Sequence, residues 1–237
     1  MENQQVNMTK EKQPTKFVDV VKKVKKAISV FFQEVFGYPL YILTHPMAGW
    51  QSFKQEKKGK MWVSIVIIVL YVAMKMLEYN FQGPVINTNN PQTFSSIRVL
   101  VYGALPPLLL SIANWSVTTL MDGKGKMKEI FMMACYSYFP VMILGFINIP
   151  LSNVITASEA QFIQLIQILA WTLTGFMALT GLISIHEYGL GKVLWSVILT
   201  IVATAIIVFL ALLIFNLAEQ IYGFLYSIYD EISTRYM

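Results

Sequence analysis

The sequence predicts an all-α, polytopic membrane protein, on three observations. Apolar side chains make up 56% of the 237 residues and charged ones 13%, against about 45–50% and about 25% in ordinary soluble domains. The apolar excess is concentrated in residues 61–217, in runs as long as a bilayer is thick. The charge is segregated too, since residues 1–60 hold eleven of the eighteen lysines and arginines. Together these argue against a soluble enzyme, a disordered chain and a disulfide-built secreted module. The single cysteine, Cys135, has no partner for an internal bridge. The same pattern divides the chain into an N-terminal region (1–60), a membrane domain (61–217) and an amphipathic tail (218–237).

In chain order, residues 1–15 are polar and predict no fixed structure. Residues 16–36 place Phe17, Val20, Val21, Val24, Ile28, Phe31 and Val35 at helical spacing, with Lys22, Lys23, Lys25 and Lys26 toward the polar side. That is a helix suited to the headgroup plane, its lysines attracted to anionic lipid. About 20 apolar residues cross a core about 30 Å thick as helix. Five stretches qualify: Met61–Leu77, Val99–Met121, Ile130–Ser158, Ala160–Ile185 and Val193–Ala218. Barrel strands would alternate and be shorter. Lys75 lies near the far end of the first span, where its long stem carries the ammonium to the interface. Pro106-Pro107 and Pro140 predict breaks in the second and third spans, and Pro150 the end of the third. Ser152 or Ser158 is positioned to cap the fourth. The tail carries Tyr222, Tyr226, Tyr229 and Tyr236, an aromatic belt or a contact surface on a helix that runs past the membrane or bends along it.

Five spans put the termini on opposite sides. With the N-terminus cytoplasmic, fifteen lysines lie inside and only Arg98 and Arg235 outside, which the positive-inside rule favours. The expected location is therefore the cell membrane, with an extracellular C-terminus and the lipid bilayer as first partner. The first apolar span begins only at Met61, so no secretory signal is expected.

Motifs for chemistry are sparse. His45, His186 and Cys135 are too few for a zinc site. The HEYGL run at 186–190 has leucine where a metalloprotease helix needs its second histidine, and GKGK at 123–126 lacks phosphate-loop spacing. The NWS sequon at 114–116 falls inside a span. No catalytic residue, cofactor, metal or nucleic-acid partner is expected. Asn114, deep in the second span, predicts a hydrogen bond between helices, worth about 0.6–2 kcal/mol. If instead Lys75, Asn114 and the prolines line a path, the chain is a small transporter or channel. A third reading, membrane shaping or lipid organisation, rests on the basic helix 16–36.

Two turns look over-specified. In NWSVTTLMDGKGKMKEIF, Asp122-Gly123-Lys124-Gly125-Lys126 makes a tight reversal, the glycines suiting positive φ and Asp122 a cap. In IHEYGLGK, His186, Glu187 and Tyr188 make the matching turn, which a compact bundle brings near the lysine-rich one. These two runs, with CYSYFP at 135–140, PLSNVIT at 150–156 and HPMAGWQSFKQEKKGK at 45–60, resemble the Yip1-domain family, most closely its branch in Gram-positive bacteria. The positions that carry the likeness are Asn114, Trp115, Asp122, Gly123, Gly125, Tyr136, Pro140, Ser152, Asn153, His186 and Tyr188. The resemblance implies a five-span fold with a cytoplasmic N-terminus and no enzymatic activity. It also implies an accessory or scaffold role beside other membrane subunits, ABC transporter components among them. The eukaryotic DLYGP-type motif is absent, so a Rab GTPase partner is not implied.

Overall fold

The structure, a computed structural model, describes residues 16–236; the polar segment 1–15 lies outside them. Among the described residues there is no strand. The helices are α1 (Lys16–Phe32), α2 (Tyr38–Thr44), α3 (Pro46–Gln55), α4 (Met61–Phe81), α5 (Ser96–Leu120), α6 (Met127–Ser137), α7 (Phe139–Ser152), α8 (Ala160–His186) and α9 (Leu190–Tyr236). A π-turn over Gln33–Gly37 joins α1 to α2. The α6–α7 pair is the most enclosed, packed among α4, α5 and α8, while α9 packs mainly along α5. Small residues set the close approaches, as where a Cβ on Gly145 would stand 2.5 Å from Met74 Sδ. Leucine, isoleucine and phenylalanine cover the outer faces of α5, α8 and α9. A helix satisfies its own backbone, so such faces are stable against hydrocarbon.

Among the described residues six helical stretches, not five, are long and apolar enough to cross a membrane. The addition is Lys22–Thr44, where the expected surface helix stops at Phe36. Gly37 and Pro39 do not end it because the π-turn shifts the ladder: Tyr38 N–H bonds Gln33 C=O, and the N–H that proline lacks is lost in the first turn of the next segment. Beyond it, α2 and α3 double back at His45-Pro46 as a helical hairpin. The Tyr38 hydroxyl donates to Gly49 C=O at 3.2 Å and lies 3.1 Å from Ser52 Oγ. A side chain on Gly49 would meet Ile42 Cα at 2.7 Å. The segment leaves and returns at one end of the bundle, since Glu34 pairs with Lys60 and Lys54 pairs with Glu187.

The prolines act differently from their sequence reading. Helix α5 runs unbroken through Pro106-Pro107, and α7 continues past Pro150 to Ser152. The third span does break, at Tyr138, with Pro140 buried in the first turn of α7 where its missing N–H costs nothing. Beside this joint lies a cavity of about 430 Å³, lined by Leu110, Asn114, Ser137, Tyr138, Trp171 and Thr174 among others. Neither Ser152 nor Ser158 caps α8. Thr156 begins the short 3₁₀ turn that leads into it, its N–H and hydroxyl both donating to Glu159 Oε2 at 3.0 and 2.9 Å.

Candidate functional site

The two over-specified turns meet at the end of the bundle that carries Lys54, Lys60 and Lys124, here called the basic end. Helix α5 closes with Gly123 N–H bonded to Thr118 C=O at 2.7 Å, and α8 closes with Tyr188 N–H bonded to Ile183 C=O at 3.2 Å. Both bonds need one left-handed residue between helix and partner. The sequence suggests glycine there, and the structure corrects this: Asp122 and Glu187 each sit at φ 57°, and among the described residues no glycine has positive φ. The glycines are there for space. A Cβ on Gly123 would lie 2.6 Å from His186 Nδ1 and 2.7 Å from the Tyr188 hydroxyl, and one on Gly125 would lie 2.6 Å from Ile185 Cγ2.

His186, 1% exposed, fills the space they leave. Its Nε2 lies 3.1 Å from Asn114 Oδ1, and its Nδ1 accepts the Gly125 N–H at 3.4 Å. An N–H donor at Nδ1 and a carbonyl acceptor at Nε2 assign the ring proton to Nε2. Asn114 in turn donates from Nδ2 to Thr200 Oγ1 at 3.0 Å and Ser196 Oγ at 3.4 Å on α9. One buried amide thus joins α5, α8 and α9. The Tyr188 ring stacks on His186 with centroids 5.2 Å apart, and its hydroxyl donates to Met121 C=O at 3.0 Å. The Lys192 ammonium stands 4.5 Å from the centroid of that ring.

Outside this buried layer is an ionic clamp. Lys54, on α3, donates to Ile185 C=O at 2.8 Å and to Glu187 at 2.9 Å. It caps the end of α8, where the helix dipole favours a cation. Lys124 reaches the other Glu187 oxygen at 2.6 Å. A left-handed glutamate costs about 1–2 kcal/mol, and this one sets its carboxylate between two lysines. Hydrogen bonds from Lys124 and Lys54 hold the Glu187 carboxyl down at about 2, against an ordinary 4.5. Because this value is lowered on folding, the contribution is complete above pH 4.5 and fades as pH falls through about 2. Thermal unfolding of Glu187→Gln beside wild type is expected to show a midpoint gap at neutral pH that closes over this window. The clamp is exposed, so added salt should narrow the gap as well. A gap unchanged with pH would mean that packing carries the difference.

The remaining candidates fall elsewhere. Trp115 is 44% exposed and has no place in the cluster. Lys126 is exposed, its N–H held by Glu129 at 3.1 Å. Tyr136 is buried beneath the α2–α3 hairpin and accepts the Lys60 N–H at 3.2 Å. Ser152 and Asn153 lie at the opposite end, where Ser152 Oγ accepts the Gly83 N–H at 2.8 Å and Asn153 donates to Phe81 C=O at 2.8 Å, satisfying a last carbonyl of α4. Lys22, Lys23, Lys25 and Lys26 are exposed along α1. Lys75 pairs with Glu78 at 2.6 Å. Sequence reasoning missed Lys54, Ser196 and Thr200, and also Trp50, whose indole donates to Thr180 at 3.2 Å.

What this arrangement does chemically is tie helix ends together. The polar groups of the buried layer are spent on one another, and among the described residues no cluster of three or more histidines, cysteines or carboxylates could hold a metal. No curated protein and no solved structure gives a significant match. The family model of the Yip1 domain does match, over residues 40–229, a span that runs from the α2–α3 hairpin through both turns and along α9. The chain therefore belongs to the Yip1-domain family of membrane proteins.

Proposed function

We propose that the protein is a non-enzymatic accessory or scaffold subunit of the cell membrane, with its N-terminus and basic end cytoplasmic. Its proposed partners are other membrane proteins, ABC transporter components first among them. One observation carries the reading: at the basic end the inward polar groups serve the fold, while Lys126, Lys128 and Lys192 remain exposed around a rigid pair of turns. A stiff, positively charged rim presents charge to a partner without any chemistry of its own. The positive-inside rule supports the orientation, because the exposed lysines of both turns gather at this rim.

The test is a crosslinked pull-down of tagged protein from native membranes, read by mass spectrometry. Stoichiometric transporter subunits are expected, lost in Lys126→Glu/Lys128→Glu, a variant that leaves the clamp intact. Recovery of no other membrane protein, in wild type and variant alike, would overturn the proposal.

A further inference from the structure

Helix α9 is 47 residues long, about 70 Å at 1.5 Å per residue, more than twice the core of a bilayer. One stripe along it has two different fates. From Val193 through Ser196, Thr200 and Thr204 to Ile207, this face is buried or half-buried against the rest of the bundle. Asn114 of α5 meets α9 at Ser196 and Thr200. Counting antiparallel from there, the first residue of α5, Ser96, stands level with about residue 216 of α9. Past that level the stripe is exposed among the described residues.

The composition of the stripe, from Ile207 to beyond that point, is specific. Ile207, Ala211, Ile214, Ala218, Ile221, Leu225, Ile228 and Ile232 alternate by four and three residues, four heptads with no polar residue at either seam position. From Ile214 outward the large members are 40–67% exposed. Phe215, Leu217, Tyr222, Phe224 and Tyr229 flank the seam, while Asn216, Gln220, Ser227, Asp230 and Thr234 occupy the far side of the helix. A repeat of 3.5 residues is the spacing of helices that wrap around one another. A helix lying on a membrane needs only the 3.6 period and gains nothing from a strict seam.

We infer that the outer part of α9, from Ile214 to Ile232, is the self-association surface of this protein, and that its occupant is the same helix of further copies. Symmetry supplies the argument for a copy rather than another protein. All copies insert with one topology, so their α9 helices leave the membrane parallel, at the same height and in register, which is what a parallel coiled coil requires. The three-residue steps run from Ala211, Ala218 and Leu225 to Ile214, Ile221 and Ile228, which puts isoleucine at the d position, where it disfavours a two-stranded packing and favours more strands. The inference is independent of the proposed partner at the basic end, because it uses the opposite end of the molecule.

Single cysteines test it in the full-length protein in native membranes, the native Cys135 being buried. Under mild oxidation, Leu225→Cys and Ile228→Cys are expected to form inter-chain disulfides about ten-fold faster than Ser227→Cys and Asp230→Cys on the far side, the contrast between seam and outer positions of a coiled coil. Leu225→Asp/Ile228→Asp is expected to reduce the species seen by light scattering in mild detergent to the monomer, while the helical signal and unfolding midpoint of the membrane domain stay unchanged. Equal disulfide rates at all four positions would show random collision and overturn the inference. So would seam cysteines that bridge to a different protein, or that are shielded from alkylation without bridging, as in a tail laid on lipid.

Discussion

Replacing Gly83 by alanine is expected to be the most damaging small substitution in the protein, costing about 3 kcal/mol or more. The added methyl would overlap the Ser152 carbonyl oxygen, and it would stand 2.5 Å from the Ser152 carbonyl carbon and 3.0 Å from Asn153 N. All three are backbone atoms, so no rotamer change relieves the clash. The same shift would pull the Gly83 N–H from Ser152 Oγ and the Asn153 amide from Phe81 C=O, the two bonds that tie the end of α4 to the end of α7. Thermal unfolding in detergent measures the effect, with Gly191→Ala as control because a Cβ there meets nothing within 4 Å. Equal midpoints for the two variants would mean that the α4–α7 splice is loose.

The second large effect is expected at Asn114 and His186, and it is expected to be non-additive. Asn114→Ala leaves the His186 Nε2–H buried without an acceptor, a loss of about 2–3 kcal/mol. His186→Ala empties the space between the turns and strands both Asn114 Oδ1 and the Gly125 N–H, for about 3–4 kcal/mol. Once one partner is gone, removing the other orphans less, so the double variant should fall short of the sum by about 1–2 kcal/mol. Average interhelical hydrogen bonds in membranes measure nearer 0.6 kcal/mol. A larger coupling here would follow from one amide serving three helices. Strict additivity would show that the histidine matters only as volume.

Much of this fold was legible because a bilayer writes long apolar runs into a sequence, and those runs locate α4, α5 and α8 to within about four residues at each end, while α9 continues well past Ala218 and the third span is two helices. Asn114 was legible for the same reason, as an amide where hydrocarbon makes polarity expensive. Its donor targets were not, since Ser196 and Thr200 look like any small hydroxyl residues on a helix. Lys54 was hidden among ten other N-terminal lysines that count equally toward topology, and only folding brings it beside residue 187. The role of Gly123 and Gly125 was misread because a turn suggests dihedral freedom, while the need to clear an imidazole comes from a histidine about 60 residues away. The prolines show the limit of local rules: two in α5 are carried without a break, and the π-turn lets the helix run on through Pro39.

The joint at Tyr138 bears on how the molecule meets membranes of different thickness. Both rims of the bundle are pinned, one by the Asn114–His186 layer and the Glu187 clamp, the other by the Gly83–Ser152 splice. Between them, α6 and α7 meet at Tyr138, where the helix is interrupted for one residue beside a pocket of about 430 Å³. A bilayer that thins or thickens must be matched by tilting or kinking of the spans. In the third span the interrupted ladder at Tyr138 is where a kink would break the fewest backbone hydrogen bonds.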